Sequence, residues 1–314
     1  MTIGRYLAPV NTHTICVCAD ASTGLQSVHR WQSFKVHQRA LLDIVSSTRE
    51  IRLVYSSPDM PELKSPILIC GFPGSGYVGK LAIDHLIQEL PAKHLVDIYS
   101  NSFPPQVMIK ADGTAELMKN SIFWWQSGNG ASDSGDTDLL LLTGDSQPAT
   151  PDSEYSLAEE VLSIAGQFGT KQVFTLAAYI TGVFVDKPRV FGTATDLEMV
   201  KEFASHNVSV MDSGSITGMN GLVIGIAKLH NMKGMCLLGE TSGYVVDAKA
   251  SKAVLETLLQ IIGIKVDMEN LEKRARDTEM LIHTIEQQML GGRTGGRPLE
   301  GPQQKPRDST GYIS

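Results

Sequence analysis

The sequence predicts an α/β protein: a three-layer sandwich with a mostly parallel central sheet, followed by a helical C-terminal segment. Three observations carry this expectation. Apolar runs that do not alternate, at Ile67–Cys70, Asp138–Leu142, Gln172–Ala178 and Gly234–Leu238, read as strands buried on both faces. Segments of helical periodicity stand between them. The run from Pro66 to Leu90 passes from a strand through a glycine-rich turn directly into a helix, which gathers unpaired backbone N–H groups at one point.

Composition sets the outer bounds. The chain of 314 residues is long enough to bury one large core or two small ones. Its hydrophobic content of 42% and charged content of 19% are those of an ordinary globular protein. A net charge of −7 argues against a general nucleic-acid binder, which needs a basic face. No apolar run reaches the roughly 20 residues that span a bilayer, so no membrane partner is expected. The four cysteines form no disulfide framework, and a reducing cytoplasm is the simplest setting. Cys16 and Cys18, with His13 nearby, lack the spacing and the second ligand pair of a zinc site, so no metal is expected.

Along the chain, residues 1–48 are poorly patterned and read as an extension that the fold does not need, with helical spacing only in Trp31–Val45. The core is expected over 49–265. Glu50–Ser56 reads as its first strand, and the organising strand, turn and helix follow, with Pro91 ending the helix. His94–Tyr99 is the next strand, and this β-α-β unit implies parallel strands. Phe103–Ile109 and Ala115–Trp125 read as strands around a turn at Asp112 and Gly113, and Ser127–Asp136 as a solvated loop. A helix is expected at Ser153–Phe168, capped near Asp152 or Ser153, and another at Asp196–His206. A strand at Val208–Met211, a glycine-rich turn at Gly214–Gly221 and a helix at Leu222–Leu229 complete the alternation before a helix at Ala248–Ile262.

Two C-terminal segments follow the core. Over 266–290, Ile264, Met268, Leu271, Ala275, Thr278, Ile282, Ile285 and Met289 alternate spacings of four and three, a heptad stripe that suits either the domain's own surface or a second subunit. Residues 291–314 are rich in glycine, proline and charge, and the composition is that of a disordered tail. Its end, Gly311-Tyr312-Ile313-Ser314, places an apolar anchor on that tether.

The glycine turn is the first candidate site. Gly74, Gly79 and Lys80 match G-x4-G-K, but Leu81 stands where a P-loop needs the hydroxyl that binds magnesium. Gly74, Gly76 and Gly79 also satisfy G-x-G-x-x-G, with Asp97 placed 18 residues beyond Gly79 as the acidic residue. A third reading is structural, with the glycines permitting close packing and Phe72, Pro73 and Tyr77 giving the loop an apolar surface for protein contact. Glu240 and Asp247, at the end of the strand Gly234–Leu238, are the candidate acid/base pair. These residues define one functional option, a nucleotide- or nucleoside-binding enzyme using Gly71–Gly79 and the Glu240 region.

Five blocks in order carry a stronger signal: Gly71–Ala82 (GFPGSGYVGKLA), Leu141–Pro148 (LLTGDSQP), Pro188–Thr195 (PRVFGTAT), Ile216–Leu229 (ITGMNGLVIGIAKL) and Cys236–Tyr244 (CLLGETSGY). Together they resemble the proteasome assembly chaperone two family in its archaeal form, over about Ile51 to Gln287. The resemblance implies a core related to the nucleoside phosphorylase-like fold, self-association into homo-oligomers, and an ATP-independent chaperone role without a cofactor. Its implied partners are proteasome subunits or the core-particle ring. Members that bind the proteasome end in a hydrophobic residue, tyrosine and any residue, and this tail enters a pocket between ring subunits. Here Tyr312, Ile313 and Ser314 would play that part; tyrosine stands third from the end and follows Gly311.

Overall fold

A computed structural model describes residues 50–128, 137–291 and 312–313; of these, 281–283, 285–291 and 312–313 are described by their backbone alone. Along the chain the elements are β1 (Ile51–Tyr55), β2 (Ile67–Gly71), α1 (Val78–Glu89), β3 (Lys93–Ser100), β4 (Val107–Ile109), β5 (Ala115–Leu117), β6 (Asn120–Trp125) and β7 (Leu139–Gly144). Then come α2 (Pro151–Gln167), β8 (Gln172–Ile180), β9 (Val190–Ala194), α3 (Leu197–Glu202), β10 (Val208–Val210), β11 (Ser215–Ile216), α4 (Met219–Leu229) and β12 (Lys233–Thr241). The long helices α5 (Ala248–Ile262) and α6 (Glu269–Gly291) follow, and β13 (Tyr312–Ile313) closes the described chain.

Nine strands form one sheet in the order β1-β3-β6-β7-β2-β8-β12-β9-β10. The four central strands, β7, β2, β8 and β12, are mutually parallel. Their residues are buried almost throughout: Leu68, Ile69, Cys70, Leu139 to Leu142, Cys236, Leu237 and Leu238 are all at zero exposure. That is why these runs show no polar alternation in sequence. Toward both edges the pairing turns antiparallel, β7 with β6, β6 with β3, β3 with β1, and β12 with β9. The expected α/β sandwich is present, with a parallel centre, antiparallel pairing on both sides of it, and a last parallel pair of β9 with β10 at one edge. β3 runs in the same direction as β2, but β7 and β6 lie between them.

Helices cover the two faces. One face is packed by α1, α5 and α6, where Val78, Ala82, Ile83 and Leu86 meet Val254, Leu255 and Leu258 above Ile69, Leu141, Leu176 and Leu237. The other is packed by α2 and α4, through Leu157, Val161, Leu162, Val223 and Ala227 above Leu68, Leu140, Leu142 and Val173. Each valine, leucine and isoleucine among them contributes roughly 1.5–3 kcal/mol on burial. Cys70 and Cys236 are fully buried free thiols whose pKa values burial pushes up, that of Cys236 to about 12. They act as small hydrophobes.

Several boundaries differ from the sequence expectation for identifiable reasons. Ala115–Trp125 is two strands, not one: β5 pairs with β4 in a separate hairpin, whereas β6 joins the main sheet. At the break the Asp145 N–H donates to the Lys119 carbonyl and the Lys119 N–H donates to the Asp145 carboxylate, fixing the chain there. The strand β9 was not expected, because Phe191-Gly192-Thr193-Ala194 has little apolar signal. Helix α2 begins at Pro151, with Thr150 at the N-cap position. Helix α4 begins three residues before Leu222, inside what reads as a glycine turn. The 203–206 end of the expected Asp196–His206 helix is a separate 3-10 turn, behind the cap that Asp196 gives to the Glu198 N–H.

The heptad stripe of the last helix divides. Ile264, Leu271, Ala275 and Thr278 are buried against the protein's own core, and α6 lies along α5. Ion pairs Lys252–Glu272 at 3.0 Å and Lys249–Glu279 at 3.4 Å reinforce the contact. Met280 is 63% exposed. The side chains of Ile282, Ile285 and Met289 lie outside the described residues, as do the 1–48 extension, residues 129–136 of the expected loop, most of the tail, and Cys16, Cys18 and His13. Among the described residues no helix is long and apolar enough to cross a membrane.

Candidate functional site

The chain leaves β2 toward the face of α1 but leaves its neighbour β7 toward α2, on the opposite face. Connections that diverge in this way open a crevice at the carboxyl ends of the strands, where α/β proteins gather their sites. Every motif residue singled out in the core converges on this edge except Asp97. Asp97 sits in β3, three places from β2, and Lys119, Ser121 and His94 occupy its carboxylate. It is too far along the sheet to meet a ribose bound at the glycine turn.

The turn itself is closely packed. Gly74 is extended, at φ −163°, a conformation open to any residue. Gly76 is left-handed at φ 64°, and Tyr77 follows it at φ 53° with its ring 48% exposed. A non-glycine residue in this region is uncommon and carries strain. At Gly79 a Cβ would lie 1.9 Å from the Leu176 carbonyl oxygen, so this glycine lets α1 rest directly on β8. Gly79 is spent on helix–strand contact.

Side chains of the protein fill the crevice. Gln147 spans it: its Nε2 donates to the Pro73 carbonyl at 2.6 Å, and its Oε1 accepts from the Met219 N–H at 2.9 Å, capping α4. Lys80 donates to both Asp84 carboxylate oxygens, at 2.8 and 2.9 Å, and to Thr143 Oγ1 at 2.9 Å, so its ammonium is held on α1 and β7. The Asp247 N–H donates to the Gly76 carbonyl at 2.8 Å. The Asp247 carboxylate accepts from Thr241 Oγ1 at 2.7 Å and from the Ala250 N–H at 3.0 Å, capping α5.

Glu240 lies in a separate network. Its carboxylate is 6% exposed and receives a fork from Arg189, Nε to Oε2 at 3.0 Å and Nη2 to Oε1 at 2.9 Å, plus the Arg189 backbone N–H at 3.2 Å. The Arg189 hydrogen bonds hold its pKa below the usual carboxylate value, outweighing the opposing effect of burial. The guanidinium also lies 5.0 Å from the Phe191 ring centroid, and Phe191 stacks on Tyr179 at 4.0 Å. The arrangement fastens the 182–189 loop to the sheet. Glu240 and Asp247 thus stand in different networks, each with its hydrogen-bonding capacity engaged.

What this edge presents outward is apolar and aromatic. Tyr77, Val183, Tyr244 and Val246 are each about half or more exposed, and Tyr244 meets Phe184 edge-on at 6.4 Å. A second exposed apolar surface lies on the β4–β5 hairpin, where Val107, Ile109 and Leu117 are 50–67% exposed. Between it and the sheet edge is a cavity of about 910 Å3 lined by Val54, Phe103, Pro104, Val107, Leu117 and Met118. Of the tail, Tyr312 and Ile313 pair in parallel with Ser215 and Ile216, and Ser314 lies outside the described residues. Sequence reasoning did not single out Gln147 and Arg189 as individual residues, although both stand inside the quoted blocks LLTGDSQP and PRVFGTAT. An isolated glutamine or arginine carries no pattern until the fold supplies its partner.

A central sheet of this topology, a closely packed glycine turn and an edge occupied by the chain's own polar groups define an α/β core of one recognisable class. The chain belongs to the PAC2 family, whose model matches residues 68–286. It is 38% identical to PbaB of Pyrococcus furiosus, described as an archaeal proteasome activator, with a TM-score of 0.69 over 76% of this chain and 99% of that one. PbaA of the same organism, described as an archaeal homolog of proteasome-assembly chaperone, is 28% identical with a TM-score of 0.62, over 78% of this chain and 95% of that one. The Methanocaldococcus jannaschii protein MJ1210, itself uncharacterized, is 35% identical over 246 residues, 77% of this chain and 92% of that protein.

Proposed function

We propose that this chain is a non-enzymatic, ATP-independent chaperone or adaptor of the proteasome that acts as a homo-oligomer in the cytoplasm. The observation that carries the reading is the 38% identity, over 76% of the chain, to an archaeal proteasome activator. The geometry supports it: the crevice where an α/β enzyme would hold substrate is filled by Gln147, Lys80 and Asp84, while Tyr77 and Tyr244 face outward. The organisation that fits this role is a core over 49–265, a helix over 266–290 and a tethering tail over 291–314.

Affinity in this reading comes from multiplicity. An oligomer carries several tails, and after one engages a ring the next binds at an effective concentration in the millimolar range without any nucleotide. Self-association is assigned to the exposed hairpin and to the last turns of α6. The test is capture of purified proteasome α-ring by the full chain and by a chain ending at Thr310. Loss of capture with an unchanged light-scattering mass is the expected result; capture that survives truncation would remove the tail from the mechanism. The enzyme option is tested by melting in ATP, NAD, nucleosides and phosphate, because any ligand of the folded state raises stability by RT ln(1 + [L]/Kd). A reproducible upward shift with one of them would overturn the non-enzymatic reading.

A further inference from the structure

The described tail residues do not project away from the core. Tyr312 and Ile313 form β13, paired in parallel with Ser215 and Ile216 of β11, and β13 lies beside β8. Neither β11 nor β13 belongs to the nine-stranded sheet, and each is the other's strand partner. Beside β11 is a cavity of about 400 Å3 whose apolar lining is Met211, Ile216 and Ile224. Gly214, Gly221 and Gly225 stand along it: a Cβ on Gly221 would lie 2.1 Å from the Ile216 carbonyl oxygen, so that glycine lets α4 approach β11, and a Cβ on Gly225 would have nothing within 4 Å. Underneath is a small apolar cluster of Ala177, Ile224, Cys236 and Leu238, with Met211 and Ile216 packed on it.

An open strand edge beside an apolar trough is how an extended peptide is taken up by strand addition: backbone pairing supplies affinity and the trough selects side chains. The chain's own last residues fit that chemistry. Residues 292–311 join α6 to them, and within 292–314 the apolar side chains are Leu299, Tyr312 and Ile313. We infer that β11 and its trough form a docking slot for the Tyr312–Ile313 segment of the same chain, so that the tail is stored on the core and is unavailable to any other host while it is there. The inference rests on the proposed role of the tail in one respect only: that the other host is the proteasome ring.

The consequence for binding is quantitative. A tail that is free only a fraction f of the time has its apparent affinity for another host reduced by that fraction. A slot filled nine times in ten therefore weakens ring capture about tenfold, and emptying the slot restores it. The slot can be blocked without touching the tail. Gly225 is an exposed helix residue with open space beside it, so Gly225→Trp fills the trough and replaces a poor helix former. The tail can be disabled separately by Ile313→Pro, which removes its N–H donor.

The experiment is hydrogen–deuterium exchange on the full-length protein without any ring present, following the peptide around Ser215 and Ile216. Slow exchange in the unmodified chain, accelerated in both Gly225→Trp and Ile313→Pro with unchanged melting temperatures, is the expected result. Equal exchange in all three would overturn the slot. Protection that fades on dilution would place the tail on a neighbouring copy and overturn storage within one chain. Because no ring is used, this outcome is independent of ring capture. If the exchange result holds but ring capture ignores the tail, the slot stands and the proposed function fails.

Discussion

At the residue scale, the three glycines of G-x-G-x-x-G are not equivalent. In a dinucleotide fingerprint the first glycine makes the tight turn, the second admits the pyrophosphate and the third packs helix on strand; here Gly79 keeps that packing duty, whereas Gly74 stands on extended backbone that any residue can adopt. Gly79→Ala drives a Cβ into the Leu176 carbonyl oxygen, a rigid backbone atom. The expected cost is about 3 kcal/mol or more, at the upper end for overpacking. Gly74→Ala, on extended backbone, should cost less than about 0.5 kcal/mol. Urea denaturation of the two variants measures both values, and equal costs would mean that α1 does not rest on β8 through Gly79. The Glu240–Arg189 fork makes a prediction in pH. The folded carboxyl titrates below its unfolded value of about 4.3, so its contribution to stability is complete above that value and disappears as pH falls through the folded one. The stability gap between the unmodified protein and Arg189→Met should be constant above about pH 5 and narrow below about pH 4. A gap that stays flat through that range would mean that the fork contributes through packing alone.

At the element scale, the parts of the fold that could be read from sequence are those whose burial is uniform. β2, β7, β8 and β12 are covered on both faces and therefore show as continuous apolar runs; α5 was located at its observed bounds because its stripe is clear and Gly263 ends it at φ 71°. β9 was not located because Gly192 and Thr193 interrupt its apolar residues. The antiparallel flanks were equally silent, since strand direction resides in long-range pairing. At the candidate site the glycine turn and Glu240 were identifiable by type, but Arg189 and Gln147, which determine what those residues do, become meaningful only in three dimensions. The β4–β5 hairpin is the element with least support from its own chain. A two-stranded hairpin is marginal in water, and this one exposes Val107, Ile109 and Leu117. Ile109→Lys with Leu117→Lys should lower the light-scattering mass to that of one chain while the melting temperature of the core stays within a few degrees; an unchanged mass would move the self-contact elsewhere, to α6 first.

At the scale of the whole molecule, family membership and fold point to the proteasome more directly than any single residue does. Each of the five sequence blocks includes a turn or an element end beside one edge of the sheet, together with parts of the strands and helices that carry it, which is why short, dispersed segments could mark the family when no single motif could. The same placement explains the two near matches to nucleotide signatures: a strand, a tight turn and a helix are shared with those proteins, and the filling of the crevice is not. A chain ending at Thr310 should retain its melting temperature and its mass and lose ring capture, because the described tail residues meet the core through a two-residue pairing with β11 and an approach to β8. A melting temperature lowered by more than a few degrees would instead make the tail part of the core.

The Gln147 side chain has a mechanical role as well as a structural one. Its amide is the strut between the turn at Pro73 and the first residue of α4, and β11 lies just ahead of that helix. The turn cannot shift away from α4 without giving up a bond of 2.6 Å or one of 2.9 Å. One amide thus ties the turn that carries the exposed Tyr77 ring to the helix that directly follows β11.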